Sequence, residues 1–236
     1  MPVEHKTYQS WRRNLDYWCT ERARQAGSDV RDQAGVRDAF RQDGGYTVLA
    51  SFPGGEERLR CRYLIGADGA ASIIRKRLWP DQYVRYSHAV EKWFPLDKPI
   101  DPNWFHCLTY AGMAPLYSNV IVKDGKLVYE FGFRSGAKQS TDDWTAQFVA
   151  DEFATSLPEQ AEHSLGCGTA LLYFDYLKGK FKPAKDNVML IGDAGGLMLP
   201  IIGEGIGASF YTGRVAAECI VRTQSDGGAA GERYIE

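Results

Sequence analysis

Two carboxylates stand where an apolar run gives way to a glycine-rich turn. Asp193 follows "NVMLI" (residues 187–191) within "GDAGG", and the chain then passes Pro200 and "GEGI" into a run of helical character. "NVMLI" is short, apolar and β-favouring, bounded by Asp186 and Gly192, which suits a buried strand. Gly192, Gly195 and Gly196 permit positive φ or close backbone approach, and Pro200 stiffens the loop. From Gly203 onward Ile206, Phe210, Val215 and Ala216 recur with helical spacing among small residues. The unpaired N–H groups of "GEGI" then form a helix N-terminus, which carries roughly half a positive charge and favours an anion or a developing negative charge. An ionised Asp193 at the end of a buried strand can accept hydrogen bonds from sugar-type hydroxyls. A polyol partner joined to a ring that takes negative charge suggests a flavin. A tight turn with no ligand stays open on this stretch alone.

The second carboxylate repeats the plan. In "RYLIGADGAASIIRKRL" (residues 62–78) an apolar strand leads through a Gly-Ala-Asp-Gly turn into a basic amphipathic helix, with Asp68 lying 125 positions before Asp193. Together and in this order the two stretches resemble the paired fingerprints of the flavoprotein family that includes the aromatic hydroxylases and the geranylgeranyl reductases. The resemblance implies FAD as cofactor, with a nicotinamide (NAD(P)H) or ferredoxin-type donor. It places Asp68, Gly69, Ser72 and Arg75 near the flavin diphosphate and the donor's path, and Gly192 and Asp193 at the sugar-like part of FAD. Pro200, Gly203, Glu204, Gly205 and Ile206 match the loop beside the isoalloxazine, where backbone N–H groups would stabilise negative charge. Ala71 replaces the family's usual asparagine and Gly195 its usual alanine. Aromatic hydroxylases more often carry glutamine or lysine where Glu204 stands, whereas "GEGI" followed by "TGRVAAE" is closer to geranylgeranyl reductases.

These residues require elements to position them. The expected fold class is mixed α/β: a partial FAD/NAD(P)-binding Rossmann-like domain, discontinuous over residues 1–78 and 183–236, with an inserted antiparallel-sheet substrate domain over 79–182. "TYQSWRRNLDYWCTERARQ" predicts an amphipathic helix from about Thr7 to Gln25, with Trp11, Leu15 and Trp18 on one face and Gly27 as its stop. Turn signals "DGG" and "PGG" then mark a strand meander leading to Asp68, and "KDGK" marks a hairpin further on. "TDDWTAQFVADEFATSL" reads as a helix capped by Thr141 or Asp142. Trp93, Phe94, Trp104, Phe105, Tyr110, Tyr117, Tyr129, Phe131 and Phe133 are candidates to line an apolar substrate pocket, or else the core face of the inserted sheet. Lys123 remains where geranylgeranyl reductases carry an aromatic-rich segment ending in lysine, but the rest of that segment does not match. The family opens with a strand, a G-x-G-x-x-G turn and a helix that hold the dinucleotide, and this sequence has no such motif. The expectation is therefore a truncated chain that alone holds little FAD and exposes a sheet edge prone to self-association.

Composition narrows the classes. The chain has 236 residues, 44% hydrophobic and 25% charged, enough for a sizeable core. A formal net charge of -2 gives no reason to invoke nucleic acid. No apolar run approaches the roughly 20 residues of a membrane helix. A cytoplasmic protein is expected, with peripheral membrane contact through a prenyl-lipid substrate left open. Cys19, Cys61, Cys107, Cys167 and Cys219 are odd in number and lack any C-x-x-C, which favours reduced thiols, and the four histidines show no metal-ligand spacing. Three readings follow: a reductase delivering hydride from FAD to a prenyl carbon–carbon double bond, a flavin monooxygenase of the aromatic hydroxylase type, or a non-catalytic fragment of either. In the first two the cofactor carries the chemistry, so no catalytic side chain is singled out.

Overall fold

The structure is a computed structural model that describes residues 9–96, 100–108, 117–134, 147, 150, 151, 161–198 and 204–236. Helix α1 (Arg12–Gln25) precedes a meander of β1 (Gly35–Gln42), β2 (Gly45–Phe52) and β3 (Gly55–Cys61). Strand β4 (Leu64–Gly66) and helix α2 (Ile73–Leu78) follow, and then the strands of a larger sheet: β5 (Tyr86–Pro95), β6 (Phe105–Leu108), β7 (Tyr117–Lys123), β8 (Lys126–Arg134) and β9 (His163–Ala170). The chain closes with α3 (Tyr173–Leu177), β10 (Ala184–Lys185), β11 (Val188–Leu190), a 3-10 turn (Gly192–Gly195), α4 (Ile206–Asp226) and α5 (Ala230–Tyr234).

The strands make three sheets, with orders β1-β2-β3, β10-β11-β4 and β6-β7-β8-β5-β9. Turn chemistry sets the hairpins. Asp43 and Gly44, and again Asp124 and Gly125, all have positive φ, the pair of left-handed residues that a two-residue hairpin requires. The middle sheet joins distant parts of the chain, because β11 pairs parallel with β4 through Val188↔Leu64, Met189↔Ile65 and Leu190↔Gly66. Val188, Met189 and Leu190 are all fully buried, as a strand covered on both faces should be. Val188 and Leu190 pack with Ala39, Tyr46 and Val48 of the meander and Ile74 of α2, while Met189 packs with Ala216, Cys219 and Ala230 of the terminal helices. Gly66 admits this layering, since a Cβ there would lie 2.6 Å from a Leu190 methyl.

Two expectations change. Helix α1 begins at Arg12 rather than Thr7, because Trp11 is extended (φ -69°, ψ 136°) and its indole is engaged elsewhere: it stacks 4.4 Å from Trp93 and donates to Asp124. No residue of α1 is buried, and Trp18, expected on its apolar face, is 55% exposed beneath the Arg22 guanidinium. The candidate aromatics also fail to share one face. Strand periodicity puts Phe94 and Tyr129 on one side of the large sheet, both buried, and Trp93 on the other under Trp11, while Trp104 and Phe105 are exposed. Tyr110, and the helix start proposed at Thr141 or Asp142, lie outside the described residues.

Candidate functional site

The parallel pair β4/β11 ends two residues before Asp68 and three before Asp193, so both carboxylates leave the carboxyl edge of adjacent strands. Ligands of open parallel sheets bind at that edge.

The two carboxylates then diverge. Asp68 is spent locally: one oxygen accepts from the Ser72 hydroxyl at 2.6 Å, and the other from the N–H groups of Ile73 at 2.6 Å and Ile74 at 3.1 Å. Ser72 in turn accepts from the Arg75 N–H as N-cap of α2. The positive end of α2 is thereby filled by the chain's own anion. Gly69 takes φ +73° to let the turn close.

Among the described residues, the Thr169 hydroxyl donates to Asp193 at 3.0 Å. Burial pushes its carboxyl above the ordinary aspartate range, a shift that the Thr169 hydrogen bond and the charges of Arg12 and Arg75 only partly oppose. A desolvated carboxylate suits a ligand that brings hydroxyls. The turn holding it is fixed by close packing. Gly192 has φ +51°, and a Cβ there would fall 2.3 Å from the Ser209 hydroxyl, so α4 rests directly on the turn. At Gly195 a Cβ would meet the Leu190 carbonyl at 3.0 Å. Thr212 accepts from the Gly192 N–H, clamping the turn to α4 from the other side.

The "GEGI" loop lies beside this carboxylate, since a Cβ built on Gly205 would stand 3.9 Å from the nearer Asp193 oxygen and 3.8 Å from Met198. Gly205 is the N-cap of α4 and Ile206 its first residue, whose N–H has no intrahelical acceptor by geometry. Glu204 folds back, its carboxylate accepting from the Gly207 N–H at 2.5 Å. Pro200 and Gly203 lie outside the described residues.

Arg75 connects the two turns. It is 1% exposed, and its guanidinium donates to the Ala194 carbonyl at 2.5 Å, the Ala70 carbonyl at 2.5 Å and the Tyr86 hydroxyl at 3.3 Å. A cation held by carbonyls rather than by a carboxylate is costly to bury, so its three anchors must be kept in register. Sequence reasoning did not single out Arg12, Thr169, Met198 or Tyr86. Arg12 opens the helix that the sequence predicted, which was the one available signal. Thr169 and Tyr86 belong to β9 and β5, and only their strand register brings them to the turns. Among the described residues no cluster of His, Cys, Asp or Glu could hold a metal, all five cysteines are free, and no helix is long and apolar enough to cross a membrane.

This arrangement fits an FAD. A half-buried, desolvated carboxylate sits beside a helix start whose N-cap has no side chain, chemistry that the hydroxyls of a polyol chain and a polar ring edge would use.

Comparison with known proteins gives a consistent picture. A family model described as FAD binding domain matches residues 13–211. Protein CbrA of Escherichia coli is 29% identical over 181 residues, 77% of this chain and 49% of that protein. The chain thus spans about half the length of the relatives it matches. Among solved structures, a geranylgeranyl bacteriochlorophyll reductase-like protein from Thermoplasma acidophilum superposes with a TM-score of 0.77 at 19% identity, over 94% of this chain and 57% of that one. Aklavinone-11 hydroxylase, solved with FAD and aklavinone, superposes with a TM-score of 0.61 at 17% identity, over 90% of this chain and 41% of its own. At such identities the likeness is one of fold: a mixed α/β architecture of the FAD-dependent oxidoreductases.

Proposed function

Since the chain belongs to the FAD-binding domain family, we propose that it forms the substrate sheet and the isoalloxazine side of the cleft in an FAD-dependent oxidoreductase that reduces carbon–carbon double bonds of prenyl-type substrates. Bound FAD would supply hydride transfer. The observation that carries the reading is the juxtaposition of the desolvated Asp193 carboxylate with the Gly205–Ile206 helix start.

Asp193 would accept hydrogen bonds from the ribityl hydroxyls, with Thr169 holding its other side. Gly192 and Gly195 let the turn that carries this carboxylate lie close to α4 and β11. Gly205 and Ile206 would face the pyrimidine edge. Asp68, Gly69 and Arg75 would build the wall nearer the diphosphate, Asp68 by capping α2 and Arg75 by tying α2 to the carbonyl that follows Asp193. We assign residues 1–78 and 183–236 to the flavin side and 79–182 to the substrate side. The parallel pairing of residues 64–66 with 188–190 supports that division.

A monooxygenase of the aromatic hydroxylase type is the second reading, favoured by the hydroxylase superposition. Oxygen separates the two. The protein as its gene encodes it, loaded with FAD and reduced anaerobically, should saturate an isoprenoid double bond with no oxygen uptake. Substrate-dependent oxygen consumption with a hydroxylated product would overturn the reductase reading in favour of the other.

A further inference from the structure

The loop expected to offer bare N–H groups to a flavin carries its own anion. Glu204 accepts from the Gly207 N–H at 2.5 Å, and both its carboxylate oxygens lie 3.3 Å from where a Cβ on Gly207 would stand. Gly205, the N-cap of this 21-residue helix, supplies no side-chain cap. Glu204 therefore takes that place. The magnitudes decide the sign of the local charge: a helix N-terminus is equivalent to roughly +0.5 charge, and one ionised glutamate hydrogen-bonded to the first turn outweighs it. Asp193, next to Gly205 and already desolvated, adds a second negative group whenever it is ionised.

We propose that Glu204 lowers the reduction potential of bound flavin by making the helix start beside it net negative. The proposal rests on the FAD reading above and deepens it. Reduction adds two electrons, and the pyrimidine edge either keeps the resulting charge or takes a second proton. A positive helix end would favour the charged form. Glu204 removes that preference, so reduced flavin is held less tightly relative to oxidised flavin and keeps both protons. A strongly reducing flavin is what an unactivated double bond demands, whereas glutamine or lysine at this place would serve a different task. Glu204 acts here as a positioning residue for charge; it need not touch substrate.

The test uses the protein as its gene encodes it, loaded with FAD, with potentials measured by dye equilibration. Glu204→Gln keeps an oxygen to accept from Gly207 and removes the charge. Its reduced flavin should bind at least tenfold more tightly relative to oxidised flavin than in the parent, a rise of about 30 mV for a two-electron couple, while the affinity for oxidised FAD changes less than threefold. A relative change below twofold would show that Glu204 only caps the helix, and would overturn the proposal. A second measurement needs no variant: the parent's potential should fall with pH as two protons per two electrons through pH 8, and a one-proton slope at pH 7.5 would overturn the proposal equally. A protein that takes up no FAD at all would instead overturn the FAD reading together with it.

Discussion

The turns around Asp68 and Asp193 share one plan, strand then glycine turn then helix, and begin on adjacent parallel strands, yet their carboxylates live in opposite conditions. Asp68 is exposed and receives three hydrogen bonds from its own helix start. Asp193 is half-buried, accepts only from Thr169 among the described residues, and resists ionisation. The first is satisfied and holds the fold. The second is desolvated, at a cost in stability when it is ionised, which is how sites for ligands are commonly maintained. A motif therefore identifies where chemistry can occur, and only the hydrogen-bond count tells which of its residues is free to perform it.

The strongest way to break the comparison is to cut the link between the turns. Arg75→Met should destabilise the chain by roughly 3 kcal/mol, because two charge-assisted bonds to a buried and a half-buried carbonyl are lost together. For a chain of this size that is a fall in Tm of roughly 6–12 °C. Arg75→Lys should recover only part of it, since an ammonium lacks the fork that reaches both turns. Thermal unfolding followed by circular dichroism reads both variants; a loss below 1 kcal/mol for Arg75→Met would mean that the turns stand without the link.

A smaller effect concerns pH. The folded state raises the Asp193 pKa, so it holds that proton more tightly than the unfolded chain does. The stability from this group is fully present below the ordinary aspartate range and is lost as pH rises through the shifted range. Asp193→Asn should flatten this segment of the Tm-versus-pH profile and raise Tm at neutral pH. An unchanged profile would show that Asp193 is already satisfied, and the contrast with Asp68 would disappear.

Much of this was legible in the sequence because local chemistry wrote it. The "DG" turns at Asp43 and Asp124 demanded left-handed residues and gave hairpins, and "NVMLI" gave the buried β11. Other features depend on contacts far along the chain. Trp11 delays the start of α1 to Arg12 because it meets Trp93 and Asp124, and Thr169 reaches Asp193 only through the register of β9 on β5. The aromatics split between two faces because strand side chains alternate, which a list of residue types does not record. For Asp68 and Glu204 the sequence marked the helix starts while leaving open what the carboxylates do. Each sits at a helix start and fills it from within.

Placing Asp68→Asn and Asp193→Asn side by side, with apo Tm and FAD dissociation constant measured for each, tests the central contrast most directly. The account predicts that Asp193→Asn weakens FAD binding by about 10-fold or more, as expected for losing hydrogen bonds to a charged group, with no fall in apo Tm. Asp68→Asn should lower apo Tm by a few degrees, in keeping with about 1 kcal/mol for a helix cap, and leave FAD affinity within threefold. The contradicting result is the reverse pattern, in which Asp68→Asn abolishes flavin binding at unchanged Tm and Asp193→Asn unfolds the chain without touching affinity.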